Sequence, residues 1–94
     1  MKLPGLTELR DEIDAIDARI LELLRHRLEL VLRVGEIKRA HNVKVYDPER
    51  ERRVLDKLAA SAKPPMRAET ARRIFERIID EARSQEKHHI NEES

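Results

Sequence analysis

Six side chains in this sequence carry charge at positions where a helix would turn inward. An apolar residue recurs every three or four positions through Leu6, Leu9, Ile13, Ile16, Ile20, Leu23, Leu30, Val34 and Ile37, and the stripe is interrupted at Arg27. A guanidinium on a buried seam is costly unless an anion pairs with it. That anion is either a carboxylate elsewhere in the chain or a ligand. Lys38 follows Arg27 by eleven residues, about three helical turns, so both cations share a face with Val31 and Val34 between them. Asp47 and Glu51 are four apart and align, and Arg50 repeats at four-residue intervals with Val54 and Leu58. Glu86 continues the spacing of Phe75, Ile78 and Ala82 and so extends an apolar face.

Each residue has a plainer role available. Arg27 can pair with Glu51 or Glu86, Lys38 can snorkel from a helix end, Asp47 can serve as an N-cap only, and Arg50 can pair with Asp47 or Glu49. The joint pattern weighs the other way. Buried ion pairs are usually no better for stability than apolar packing. Cations gathered with a few carboxylates on half-buried helix faces suit a polar, anionic small molecule, because arginine grips carboxylates bidentately.

The elements that must position these groups are helices. The first is expected from about Thr7 to about Ala40, with Thr7 as a partial cap and a length of about 50 Å at 1.5 Å per residue. Gly35 lies inside it and weakens it by roughly 1 kcal/mol relative to alanine, unless a backbone or ligand must approach there. "HNVKVY" reads as a short connection. Asp47-Pro48-Glu49 starts a second helix, with Asp47 capping, Pro48 at the first helical position and Glu49 in the first turn. That helix turns Val54, Leu55, Leu58 and Ala62 inward and stops at "SAKPPM". A third begins near Arg67, carries Ala71, Ile74, Phe75, Ile78, Ile79 and Ala82 on one side, and fades near Lys87. The expectation is an all-α fold in one domain, 1–94, with a short lead at 1–6 and a disordered tail at 88–94. So long a helix leaves its stripe wet unless a second copy packs on it, which predicts an obligate homodimer.

Composition narrows the function. With 41% charged residues but a net charge of +1, and with one Tyr and one Phe, the chain lacks the basic excess and stacking aromatics of a nucleic-acid binder. It has no cysteine, so a thiol nucleophile and a cysteine-held metal are ruled out. No glycine-rich phosphate loop occurs, and neither does H-E-x-x-H or G-x-S-x-G. His88-His89 point about 100° apart on a helix and are poorly placed to share one metal ion. No metal or cofactor is expected. There is no apolar run of membrane-spanning length, and the start "MKLPGLTEL" has no apolar signal core. A soluble, cytoplasmic protein is expected.

The strings "LRDEIDAIDARILELLRHR", "VGEIK", "VYDPERE" and "IFERIIDEARSQE" together resemble the all-helical class of chorismate mutase, from about Leu9 to Glu86. Each fragment is weak alone, and the combination is specific. The resemblance implies an intertwined homodimer of three-helix subunits with two active sites, each built from both chains. It implies that Arg10 reaches into the partner's site, Arg27 binds a substrate carboxylate and Lys38 donates to the ether oxygen. It puts Asp47 and Glu51 near the substrate hydroxyl, and Arg50 as a further site arginine. Ala82 falls where the family often has a small polar residue. Glu86 falls where it has Gln or Glu, with Gln85 next to it if the register slips by one. The implied reaction turns chorismate into prephenate in Phe and Tyr biosynthesis, a unimolecular [3,3] rearrangement that needs no nucleophile, metal or redox cofactor. Three alternatives remain at this level. One is isochorismate pyruvate lyase on the same fold, another a non-catalytic subunit docking on another shikimate-pathway enzyme, and the third a plain helical interaction module. With the sequence ending at Ser94, no fused dehydratase or dehydrogenase domain is expected.

Overall fold

The computed structural model describes residues 3–93, with side chains up to position 89. Three helices account for the fold: α1 (Leu6–Ala40), α2 (Pro48–Ser61) and α3 (Ala68–Glu93). No strand occurs among the described residues. The chain divides into two compact units, residues 1–30 and 31–94.

The first unit is the N-terminal part of α1. Gly5 precedes it with a φ of +77°, a left-handed turn that glycine adopts without strain. The helix starts at Leu6, so Thr7 lies in its first turn and is not the expected cap. Arg25 pairs with Glu22 at 2.9 Å and also with Glu29, one turn to either side on the helix surface. The apolar stripe is not buried within the chain. Leu9, Ile13, Ile16, Ile20 and Leu23 here, and Leu30, Val34 and Ile37 further along α1, are all between 45% and 62% exposed.

The second unit holds the rest. α1 ends in a hydrogen-bonded reversal in which Asn42 takes φ +57°. The Asn42 N–H donates to the Arg39 carbonyl at 3.2 Å, and the Val43 N–H reaches back to the Lys38 carbonyl at 2.8 Å. This is the Schellman pattern of a helix C-terminus, and asparagine is one of the few residues besides glycine that tolerates the left-handed position. Asp47 caps α2 as expected, its Oδ1 accepting from the Arg50 N–H at 3.0 Å, with Pro48 in the first turn. α2 stops at Ala62, just before the prolines at 64 and 65.

α3 packs on α2. Ala71, Ile79 and Ala82 form its buried core, flanked by half-buried Val54, Leu55, Leu58, Phe75 and Ile78. Arg72 on α3 also bonds Asp56 on α2 at 2.6 Å. Ile74, expected inside, is 45% exposed. α3 continues to Glu93, six residues past Lys87 where fading was expected. The tail expected to be disordered at 88–94 is thus helical to Glu93, and Ser94 lies outside the described residues.

Candidate active site

Lys38 owes its position to the end of α1. Its carbonyl takes the Val43 N–H, and its ammonium donates to the Val45 carbonyl at 3.4 Å. One residue thereby holds the connecting segment at two points, Val43 and Val45. Two residues further on, Asp47 uses its carboxylate on the Arg50 N–H, which fixes the first turn of α2 and with it Glu51.

Glu86 comes to this region from α3. Gly35 on α1 is buried, and a Cβ built there would lie 3.0 Å from Glu86 Oε2. The missing side chain lets a carboxylate lie against the helix backbone, which is the reason for a glycine inside α1. Glu86 is half-buried and Gln85 exposed, so the inward residue of the two is Glu86. Burial pushes the Glu86 carboxyl above the usual carboxylate range, and Glu51 pushes the same way, against the opposing pull of Lys38, Arg39 and Arg83. A shallow hollow beside it is lined by Leu32, Gly35, Arg39, Glu86 and His89.

The structure therefore brings Lys38, Asp47, Glu51, Ala82 and Glu86 into one compact unit. Lys38, Asp47, Glu51 and Glu86 are half-buried there, and Ala82 is buried. Arg50 is in the same unit but exposed, on the face that carries the half-buried Val54 and Leu58. Its side chain does not pair with Asp47 or Glu49, and Glu49 faces Arg52 instead. In the N-terminal unit, Arg10 is exposed and Arg27 half-buried. Within its own unit Arg27 has no ion-pair partner among the described residues.

One group at the site was not anticipated from sequence. Arg83 on α3 pairs with Glu51, and its guanidinium stacks over the Tyr46 ring at 4.8 Å from the centroid. The signal was available: Ala71, Phe75, Ile79 and position 83 follow one another at intervals of four along the buried face. The rhythm that exposed Arg27 as an anomaly would have found Arg83 as well. Among the described residues no cluster of three or more potential metal ligands occurs, and no helix is long and apolar enough to cross a membrane.

This unit gathers Lys38, Arg39, Arg83 and Glu51 around the Glu86 carboxyl, which lies against the buried Gly35. Residues 9–87 match the family model for chorismate mutase type II, and the chain belongs to that family. It is 33% identical to the chorismate mutase of Methanocaldococcus jannaschii over 93% of this chain and 89% of that one. It is 51% identical to the bifunctional chorismate mutase/prephenate dehydratase of Aquifex aeolicus over 56% of this chain, but that stretch is only 15% of the relative. The chain thus spans a small part of that longer relative. Among solved structures, chorismate mutase (Form II) from Thermus thermophilus superposes with a TM-score of 0.84 at 33% identity, covering 87% of this chain and 93% of that one.

Proposed function

We propose that this chain is a chorismate mutase acting as a homodimer. The observation that carries the reading is the setting of Glu86: a carboxyl held against Gly35 with its proton affinity raised, in the field of a lysine fixed by its own helix end. The rearrangement breaks the C–O ether bond of chorismate as a new C–C bond forms, and negative charge builds on the ether oxygen. A lysine and a protonated carboxylic acid are two donors suited to that oxygen. Asp47 and Glu51 suit the substrate hydroxyl. Arg10, Arg27 and Arg50 suit its two carboxylates, holding the folded conformer in which the reacting carbons meet.

The exposed α1 stripe supports the dimer. Eight large apolar side chains are about half exposed, so covering each contributes about 1 kcal/mol, or roughly 15 kcal/mol for two copies. That is comparable to or above the about 4–15 kcal/mol lost in association. A second chain on this stripe also supplies the arginine from the other side of a shared site. The reading places the protein in the cytoplasm, where the shikimate pathway makes its substrate.

Incubating the pure protein with chorismate and, separately, with isochorismate and following each optically tests the reading. Loss of chorismate with formation of prephenate is expected, and Lys38→Ala should lower kcat/KM by at least about 100-fold. Turnover of isochorismate alone would make it a pyruvate lyase. Inertness towards both would leave a binding subunit that needs another shikimate-pathway enzyme.

A further inference from the structure

Arg83 has a geometry that helix packing does not require. Its guanidinium pairs with Glu51 on α2, lies 3.4 Å from Asp80 on its own helix and stacks over Tyr46 in the segment before α2. Its Nε is buried without an acceptor. A buried N–H without a partner is unfavourable, although the Arg83 side chain as a whole is 36% exposed. The group is held by three neighbours, one of which is Glu51.

We infer that Arg83 is a positioning residue for the reaction proposed above: it fixes Glu51 for the substrate hydroxyl and keeps the Glu51 charge from acting alone on Glu86. The inference rests on the chorismate reading for its first half only. Glu86 is faced by Lys38 and Arg39 from α1, Glu51 from α2 and Arg83 from α3, with His89 beside the same hollow. Among these Glu51 is the one anion. Paired with Arg83, it presents Glu86 with a nearly neutral unit. Without Arg83, the carboxylate is both free to move and uncompensated.

The test compares Arg83→Met, which keeps an unbranched apolar stem but not the charged head, with Arg83→Lys, which keeps charge but not the planar fork. Arg83→Met should raise KM for chorismate by about tenfold with a much smaller change in kcat, the sign of lost ground-state contacts. The alkaline limb of its rate profile should move up by about half a pH unit as Glu86 holds its proton longer. Arg83→Lys should restore the limb but not KM. Carbon NMR titration of the glutamate carboxyls in the unliganded protein, with Glu86 assigned by Glu86→Gln, gives a readout that needs no activity. There the Glu86 midpoint should rise in Arg83→Met and return towards the parent in Arg83→Met/Glu51→Gln. A KM within about twofold of the parent together with an unmoved midpoint overturns the inference. If Arg83→Met does not fold, Arg83→Lys decides by the same KM criterion. If the parent protein does not turn over chorismate, the functional reading fails by itself, and the titration still decides whether Arg83 controls Glu86.

Discussion

Replacing Gly35 by alanine separates the stability of this fold from its chemistry. In a helix interior, glycine is about 0.8–1 kcal/mol less favourable than alanine, so helix propensity alone should stabilise the variant. The new Cβ would lie 3.7 Å from Glu86 Cδ and 3.8 Å from Val45 Cγ1, both ordinary contacts, but 3.0 Å from Glu86 Oε2. Relief needs the carboxylate to move by about 0.4 Å, and an off-rotamer side chain costs about 0.5 kcal/mol or slightly more. The net gain should therefore be about 0.5 kcal/mol, raising Tm by roughly 2–4 °C. Activity should go the other way. A misplacement of about 1 Å can cost on the order of 100-fold, so 0.4 Å should lower kcat/KM roughly 5- to 10-fold. A thermal melt and a steady-state assay at neutral pH measure both. Higher stability with unchanged kcat/KM would mean that the position of Glu86 does not matter to turnover. A loss of stability beyond about 1 kcal/mol would mean that the carboxylate cannot yield and that the glycine is structural.

Further outcomes follow from the same geometry. Because burial raises the Glu86 carboxyl and only its protonated form helps the leaving oxygen, the rate should fall as pH rises through that raised value. Glu86→Gln, neutral at every pH, should lack this limb, and superimposable profiles would remove Glu86 from the ether oxygen. The same shift bears on stability: a carboxyl raised in the fold stabilises fully below its unfolded value and loses that contribution as pH rises through the folded one. Glu86→Gln should therefore gain on the parent with rising pH in denaturant titrations. The protein should sediment as a dimer at micromolar concentration with a concentration-dependent unfolding midpoint. Ile16→Glu, on a 55% exposed stripe position, should give monomers, and a parent that stays monomeric would end the dimer proposal. Arg10 and Arg27 are about 100° out of phase on one helix, so Arg10→Ala and Arg27→Ala chains, each nearly inactive, should regain activity as heterodimers. Verified heterodimers without recovery would contradict a shared site.

The sequence was most legible where one physical signal dominated. Asp47-Pro48-Glu49 announces a helix start because capping chemistry is local, and α2 begins there. The paired prolines mark its end for a similar reason. The end of α3 was misjudged because polar residues from Lys87 onward carry no apolar rhythm, yet a helix already formed continues at little cost through residues that tolerate it. Ile74 was assigned inward from its neighbours' spacing, but one helix packing on another covers a narrower face than the apolar residues of α3 occupy. Gly35 was flagged for a close approach, but what approaches is a carboxylate 51 residues away in sequence. No local rule connects them, and a separation of 32 residues hid the Arg83–Glu51 pair in the same way.

In the proposed reaction Lys38 and Glu86, two groups of opposite formal charge, would serve one oxygen as donors. Brought into contact, they would form an ion pair, the glutamate would give up its proton and one donor would be lost. Two features of the structure oppose this. Lys38 directs its ammonium to the Val45 carbonyl at 3.4 Å, a long contact that orients the group without saturating its three donors. Glu86 lies against Gly35, where burial outweighs the pull of Lys38 on its proton. Each partner is restrained by its own element, the lysine by a helix end and the glutamate by a missing side chain. For the proposed rearrangement, which needs no nucleophile or metal, such prior placement of donors would be the protein's contribution to the chemistry.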